Sequence, residues 1–134
     1  MASDSLAIVT ALRNRLVRRV LRIACRTVPY PHLERVGSTY GGWVIPTDRL
    51  RRGDVCYCAG SGEDISFDLE LATRFSCEVY SIDPTPRALR YVARLAAGVA
   101  TLHPVPLGLW SSTTRMRFYA PRDKEHVSHS IVNL

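Results

Sequence analysis

A chain of 134 residues, 46% of them hydrophobic, is long enough for one small domain with a modest core. Its formal charge of +6 is unevenly placed: six arginines from Arg13 to Arg26 against Asp4 leave +5 ahead of position 27 and +1 for everything after it. A nearly neutral folded part excludes a basic face for phosphates, and no nucleic-acid partner is expected.

Residues 1–28 predict a basic amphipathic helix. Arg15, Arg18, Arg19, Arg22 and Arg26 share one face, Val9, Leu12, Leu16, Val20 and Ile23 the opposite one, and Arg13 falls out of the stripe. Two uses of such a helix stay open: packing its apolar face on the domain, the commoner fate, or peripheral contact with a membrane surface. No apolar run approaches the ~20 residues that span a bilayer, and arginines interrupt every candidate signal-peptide core, so a cytoplasmic location is expected. Pro29-Tyr30-Pro31 then breaks regular structure, and residues 29–53 read as a connecting segment rich in glycine and aromatic groups.

The part from 54 to 134 alternates strands and helices. Asp54 to Cys58 is a short apolar strand, and Cys56 and Cys58 share one of its faces. A helix follows from Asp64 to about Phe75, with Ile65, Leu69 and Ala72 in one stripe, Phe67, Leu71 and Phe75 beside it, and Asp68 and Glu70 expected to face solvent, bracing of the turn being the alternative for Asp68. Cys77 to Asp83 forms the second strand. The second helix has clear punctuation, Thr85 as N-cap, Pro86 at the first position and Gly98 past the end, with Leu89, Val92, Ala93 and Ala96 facing inward. Its arginines Arg87, Arg90 and Arg94 read as a wet face. In a third strand, Leu102 to Leu107, Pro104 and Pro106 remove ladder donors from one side and mark a sheet edge. Leu107 to Trp110 is then expected to form a hairpin with Arg115 to Tyr119. Cys25, Cys56, Cys58 and Cys77 have no zinc-type spacing, so neither a metal site nor a disulfide framework is expected.

The chemistry lies in Gly60-Ser61-Gly62-Glu63-Asp64, a glycine turn running into acids, together with the strand-end carboxylate Asp83. A dinucleotide fingerprint asks for a third small residue where Ile65 stands. Carboxylates ~5 Å from a pyrophosphate would each cost on the order of 3 kcal/mol at a surface-like dielectric. S-adenosylmethionine carries a sulfonium and an ammonium, which Glu63 and Asp64 would attract, and a ribose that Asp83 can hold. Acids at a helix start are also stabilised by its dipole with no ligand present.

Tyr40-Gly41-Gly42-Trp43, Gly60 to Asp68 and Ile82-Asp83-Pro84-Thr85-Pro86 together resemble the FkbM-type methyltransferase family over roughly Glu34 to Leu134. The resemblance implies an α/β, Rossmann-like class I methyltransferase fold that binds S-adenosylmethionine and methylates an oxygen of a small-molecule or glycan-type acceptor. Gly60, Ser61, Gly62, Glu63, Asp64, Asp83, Pro84 and Gly108 are the cofactor-binding residues it implies. Its later acidic motif has no counterpart here, so no catalytic residue is assigned. In the family order 3-2-1-4-5 the third strand is an edge and the first is central, which makes the chain read as truncated or completed by self-association. A non-catalytic binding module is the alternative function, and an NAD-linked oxidoreductase domain is disfavoured by Ile65 and the acidic turn.

Overall fold

The computed structural model of the protein describes residues 13–21, 25, 29–123, 126 and 128–132, in two units, Met1–Pro31 and His32–Leu134. In the first unit, residues 13–21 form a helix, α1, and the Cys25 N–H donates to Leu21 O at 2.8 Å. The side chains of α1 are all exposed, Leu16 and Val20 of the expected apolar stripe included. Val9, Leu12, Arg22, Ile23 and Arg26 lie outside the described residues. Among the described residues no helix is long and apolar enough to cross a membrane.

The second unit opens with β1 (Leu33–Val36) and β2 (Trp43–Pro46), paired antiparallel with Leu33 opposite Pro46 and Val36 opposite Trp43. The sequence predicts only a connecting segment over 29–53. Just Val36 of the eight residues is fully buried, so no alternation of apolar and polar positions announces the pair. A 3-10 turn at Thr47–Arg49 leads on to β3 (Val55–Ala59), α2 (Ser66–Thr73), β4 (Glu78–Ile82), α3 (Pro86–Ala96) and β5 (Leu102–Val105).

Strands β3, β4 and β5 form a parallel sheet in that order, an α/β arrangement of Rossmann-like kind. Register fixes the rows across it: Cys56, Val79 and Leu102 are neighbours, as are Tyr57, Tyr80 and His103. The first row packs with Ile65, Leu71, Ala72 and Val92 in the core, so both crossover helices cover one face, as right-handed crossovers between successive strands require. On the other face Tyr57 stacks on Tyr80 at 5.4 Å, Tyr80 lies 4.9 Å from His103, and His103 Nε2 meets Glu78 Oε2 at 2.8 Å. Tyr57 is 72% exposed.

The expected face of α2 packs in the core, and that of α3 does so in part. In α3 the buried residues are Ala88 and Val92, with Tyr91, Leu95, Ala96 and Val99 packed beside them, while Ala93 is exposed. Val92 and Ala96 of the expected stripe face inward, but Ala88 and Leu95 take the places expected of Leu89 and Ala93. In α2 the expectation for Asp68 is overturned, because it is only 5% exposed and faces the sheet.

β5 is an edge strand, in agreement with its prolines. Val79 N–H donates to Thr101 O and Asp83 N–H to Val105 O, so odd-numbered positions of β5 face β4 and Pro104 faces outward. Pro106 lies beyond the strand. The expected hairpin is absent among the described residues: 106–118 are irregular, and Tyr119 instead makes an antiparallel bridge with Ser130, through bonds of 2.7 and 3.1 Å.

Candidate functional site

β3 ends at Ala59, and the chain turns through Gly60 (φ +81°) and Gly62 (φ +56°), a backbone region that glycine enters at little cost. A β-carbon at either place would meet no atom within 4 Å, so both glycines front open space. Their amides point the other way. Gly60 N–H donates to Ile82 O at 2.9 Å, and Gly62 N–H donates to Asp83 Oδ2 at 3.1 Å. The turn is thereby sewn to the end of β4 and leaves neither glycine N–H to cradle an anion.

Asp83 is 6% exposed and closes this seam. Its Oδ1 accepts the Thr85 N–H at 2.8 Å and the Thr85 hydroxyl at 2.6 Å. Thr85 therefore stands at the N-cap of α3 but spends its hydroxyl on Asp83 and caps nothing with it. Three donors on a carboxylate leave one acceptor position, on Oδ2.

Gly60, Ser61, Gly62, Glu63, Asp64, Asp83 and Pro84 line one cleft of about 970 Å³, with Tyr40 and Gly41 on the same wall as Asp64 and with Thr85, Tyr91, Phe118, Ser128 and His129 completing it. Gly108 is placed apart from the others. It lines an adjacent cavity of about 630 Å³ with Leu107, Leu109, Trp110 and Met116, and the two cavities share Pro84 and Phe118.

The two acids of the turn do different work. Glu63 Oε1 takes the Arg87 Nε at 2.6 Å, so its charge is matched on the rim by an arginine that stays on the exposed face of α3 as expected. Asp64 Oδ2 accepts the Ser38 hydroxyl at 2.6 Å and Oδ1 accepts the Ser66 N–H at 3.0 Å. Ser38 Oγ in turn accepts the Gly41 and Tyr40 N–H groups, and Ser66 Oγ accepts the Ser38 N–H at 2.8 Å. These bonds tie the Ser38–Gly42 loop to the start of α2. Sequence reasoning assigned no role to Ser38, marked only by its place beside Gly37, or to Ser66, which lies within the Gly60 to Asp68 stretch that carries the family resemblance.

Hydrogen bonds from the Ser38 side chain, then from Ser66, hold the Asp64 carboxyl below its ordinary value of 3.8. A lowered folded-state value means that this stabilisation is complete above pH 3.8 and is lost as the pH falls through the folded-state value. Ser38→Ala is expected to cost about 1 kcal/mol at neutral pH, discounted for exposure. Urea unfolding of both proteins checks it, and a gap that fails to narrow in acid would contradict the ionic contact.

Behind the turn, burial first and Asp68 second push the Cys58 thiol up to about 12, and burial pushes Cys77 up to about 11. Both stay protonated at neutral pH and behave as packing groups. Among the described residues no group of three or more histidine, cysteine, aspartate or glutamate side chains is placed to hold a metal ion.

Comparison with known proteins adds little to this geometry. No family model and no curated protein matches the chain, so the likeness to FkbM-type methyltransferases is one of motifs alone. Three solved chains match it in structure. One is a mutant of MtNAS, at 17% identity and a TM-score of 0.43, over 46% of this chain and 24% of that one. The chain thus spans about a quarter of that protein, a likeness too slight to carry an argument about function.

Proposed function

We propose that this chain forms the cofactor-binding part of an S-adenosylmethionine-dependent methyltransferase of FkbM-like kind, acting on a hydroxyl of a small-molecule or glycan-type acceptor. The observation that carries this reading is the orientation of the glycine turn. Its open side faces the cleft while both glycine amides are bonded to the end of β4, which suits a ligand that approaches the backbone closely without offering phosphate oxygens.

The residues present fit the donor. Asp64 and Asp83 put two carboxylates on the cleft while Glu63 is matched by Arg87, so the field inside favours a cation. The remaining acceptor position on Asp83 Oδ2 suits a ribose hydroxyl, and the cavity around Gly108 and Trp110 suits a flat purine. Ile65, with no exposure at all, occupies the place where a dinucleotide site has a small residue.

When bound, S-adenosylmethionine supplies an electrophilic methyl on its sulfonium. The chain contributes alignment: the glycine turn and Asp83 fix the nucleoside, and the carboxylates hold the cationic end toward the acceptor. Calorimetry with S-adenosylhomocysteine and with NADH tests the assignment. Uptake of the thioether alone is expected, and binding of NADH without it would overturn the reading.

A further inference from the structure

Helix α1 carries no carboxylate, and the sequence around it has none between Asp4 and Glu34. Within residues 13–21 stand Arg13, Arg15, Arg18 and Arg19 beside four large apolar residues, Leu16, Val17, Val20 and Leu21. All eight side chains are exposed, the apolar four at 64%, 49%, 56% and 51%. Single apolar residues on a surface are ordinary, but four in contact on one short helix form a patch that calls for a partner.

At 3.6 residues per turn Leu16, Val20, Val17 and Leu21 fill a continuous arc of about 140° around the helix. Arg19 borders that arc beside Leu16, Arg18 borders it beside Leu21, and Arg15 stands at the back. Arg13 falls within the arc at its N-terminal end, where an aliphatic stem can lie along apolar surface and carry the guanidinium to the edge.

An occupant has to satisfy both halves of this helix at once. A nucleic acid engages the arginines through its phosphates and leaves the leucines and valines in water. An uncharged apolar groove covers the leucines and valines and leaves an arginine on each border without an anion. A flat boundary between hydrocarbon and anionic headgroups meets the arc and both borders together. We propose that α1 is a docking surface for anionic lipid. It lies in the plane of the membrane surface, with Leu16, Val17, Val20 and Leu21 at the acyl boundary and Arg18 and Arg19 on headgroup phosphates. Contact through one short helix is reversible and sensitive to salt. The inference is independent of the adenosyl reading.

Sedimentation of the full chain with vesicles of phosphatidylcholine alone, and of phosphatidylcholine mixed with phosphatidylserine, tests it. The mixed vesicles are expected to bind about tenfold more tightly or better. That preference should vanish as salt rises from about 0.1 M to about 1 M, which cuts the screening length from about 10 Å to about 3 Å. Arg18→Gln with Arg19→Gln should bind mixed vesicles about thirtyfold more weakly. Leu16→Gln with Val20→Gln should lose about as much and keep the parent's salt dependence. Both doubles should melt within about 2 °C of the parent, because the altered side chains are exposed.

Equal binding to neutral and mixed vesicles, binding to neither, or parental affinity in either double variant would overturn the proposal. A melting point several degrees lower in Leu16→Gln with Val20→Gln would do the same, since the apolar arc would then be packing on the protein itself. A random-sequence DNA duplex held more tightly than the mixed vesicles, with no loss in that variant, would assign the arginines to nucleic acid instead.

Discussion

Gly60→Ala is expected to leave the protein folded and to weaken S-adenosylhomocysteine binding by about a hundredfold, roughly 2.7 kcal/mol. The new methyl would meet nothing in the protein, so the folded state bears only the left-handed backbone penalty of about 1–2 kcal/mol, partly offset by a stiffer unfolded chain. What the methyl does occupy is the space through which a ligand reaches the turn. Gly42→Ala is the control with the opposite signature. There a β-carbon would lie 2.3 Å from Ser38 O and 2.5 Å from Val36 O, both backbone atoms, and a loss on the order of 3 kcal/mol is expected. Thermal unfolding beside calorimetry separates the two. If Gly60→Ala binds as the parent does, the open side of the turn is not where the ligand sits.

Asp83→Ala is expected to lose both stability and binding. It strips the acceptor from the Gly62 N–H, the Thr85 N–H and the Thr85 hydroxyl, all in a part-buried seam. Bonds to a charged acceptor are worth about 1.5–3 kcal/mol each when nothing replaces them, and water recovers some of that, so a loss on the order of 3 kcal/mol follows. At about 4–8 °C per kcal/mol the melting point should drop by roughly 15 °C. Asp83→Asn divides the two roles: one oxygen keeps the Thr85 bonds, but the amide presents N–H to the Gly62 N–H or to a ribose hydroxyl's former place. A melting point unmoved in Asp83→Ala would refute the brace, and parental affinity in Asp83→Asn would refute the ribose contact.

The parts of this fold that sequence made legible are those with local causes. The glycine turn, the strand before it, Asp83 at the end of the next strand and the Thr85-Pro86 start of α3 each declare themselves within a few residues. What stayed hidden depends on partners far along the chain. Asp68 reads as a solvent-facing acid until Ser81 and Cys58, on two different strands, are seen beside it. Glu63 looks free until Arg87, 24 positions later, folds across to it. Ser38 meets Asp64 across 26 positions, and no periodicity marks such a bond. The α3 stripe misled because small Ala88 does the packing where the larger Leu89 drew attention.

The two borders of the parallel sheet are chemically unequal. At β5 the ring of Pro104 faces outward and supplies no donor there, whereas β3 turns the N–H and C=O groups of Val55, Tyr57 and Ala59 outward in an unbroken series. Lateral growth of this sheet is accordingly one-way: any further strand, from whatever source, gains a full set of bonds only alongside β3. That places new backbone next to the mouth of the cleft, so the same asymmetry that protects one flank directs every elaboration of the fold toward its chemistry.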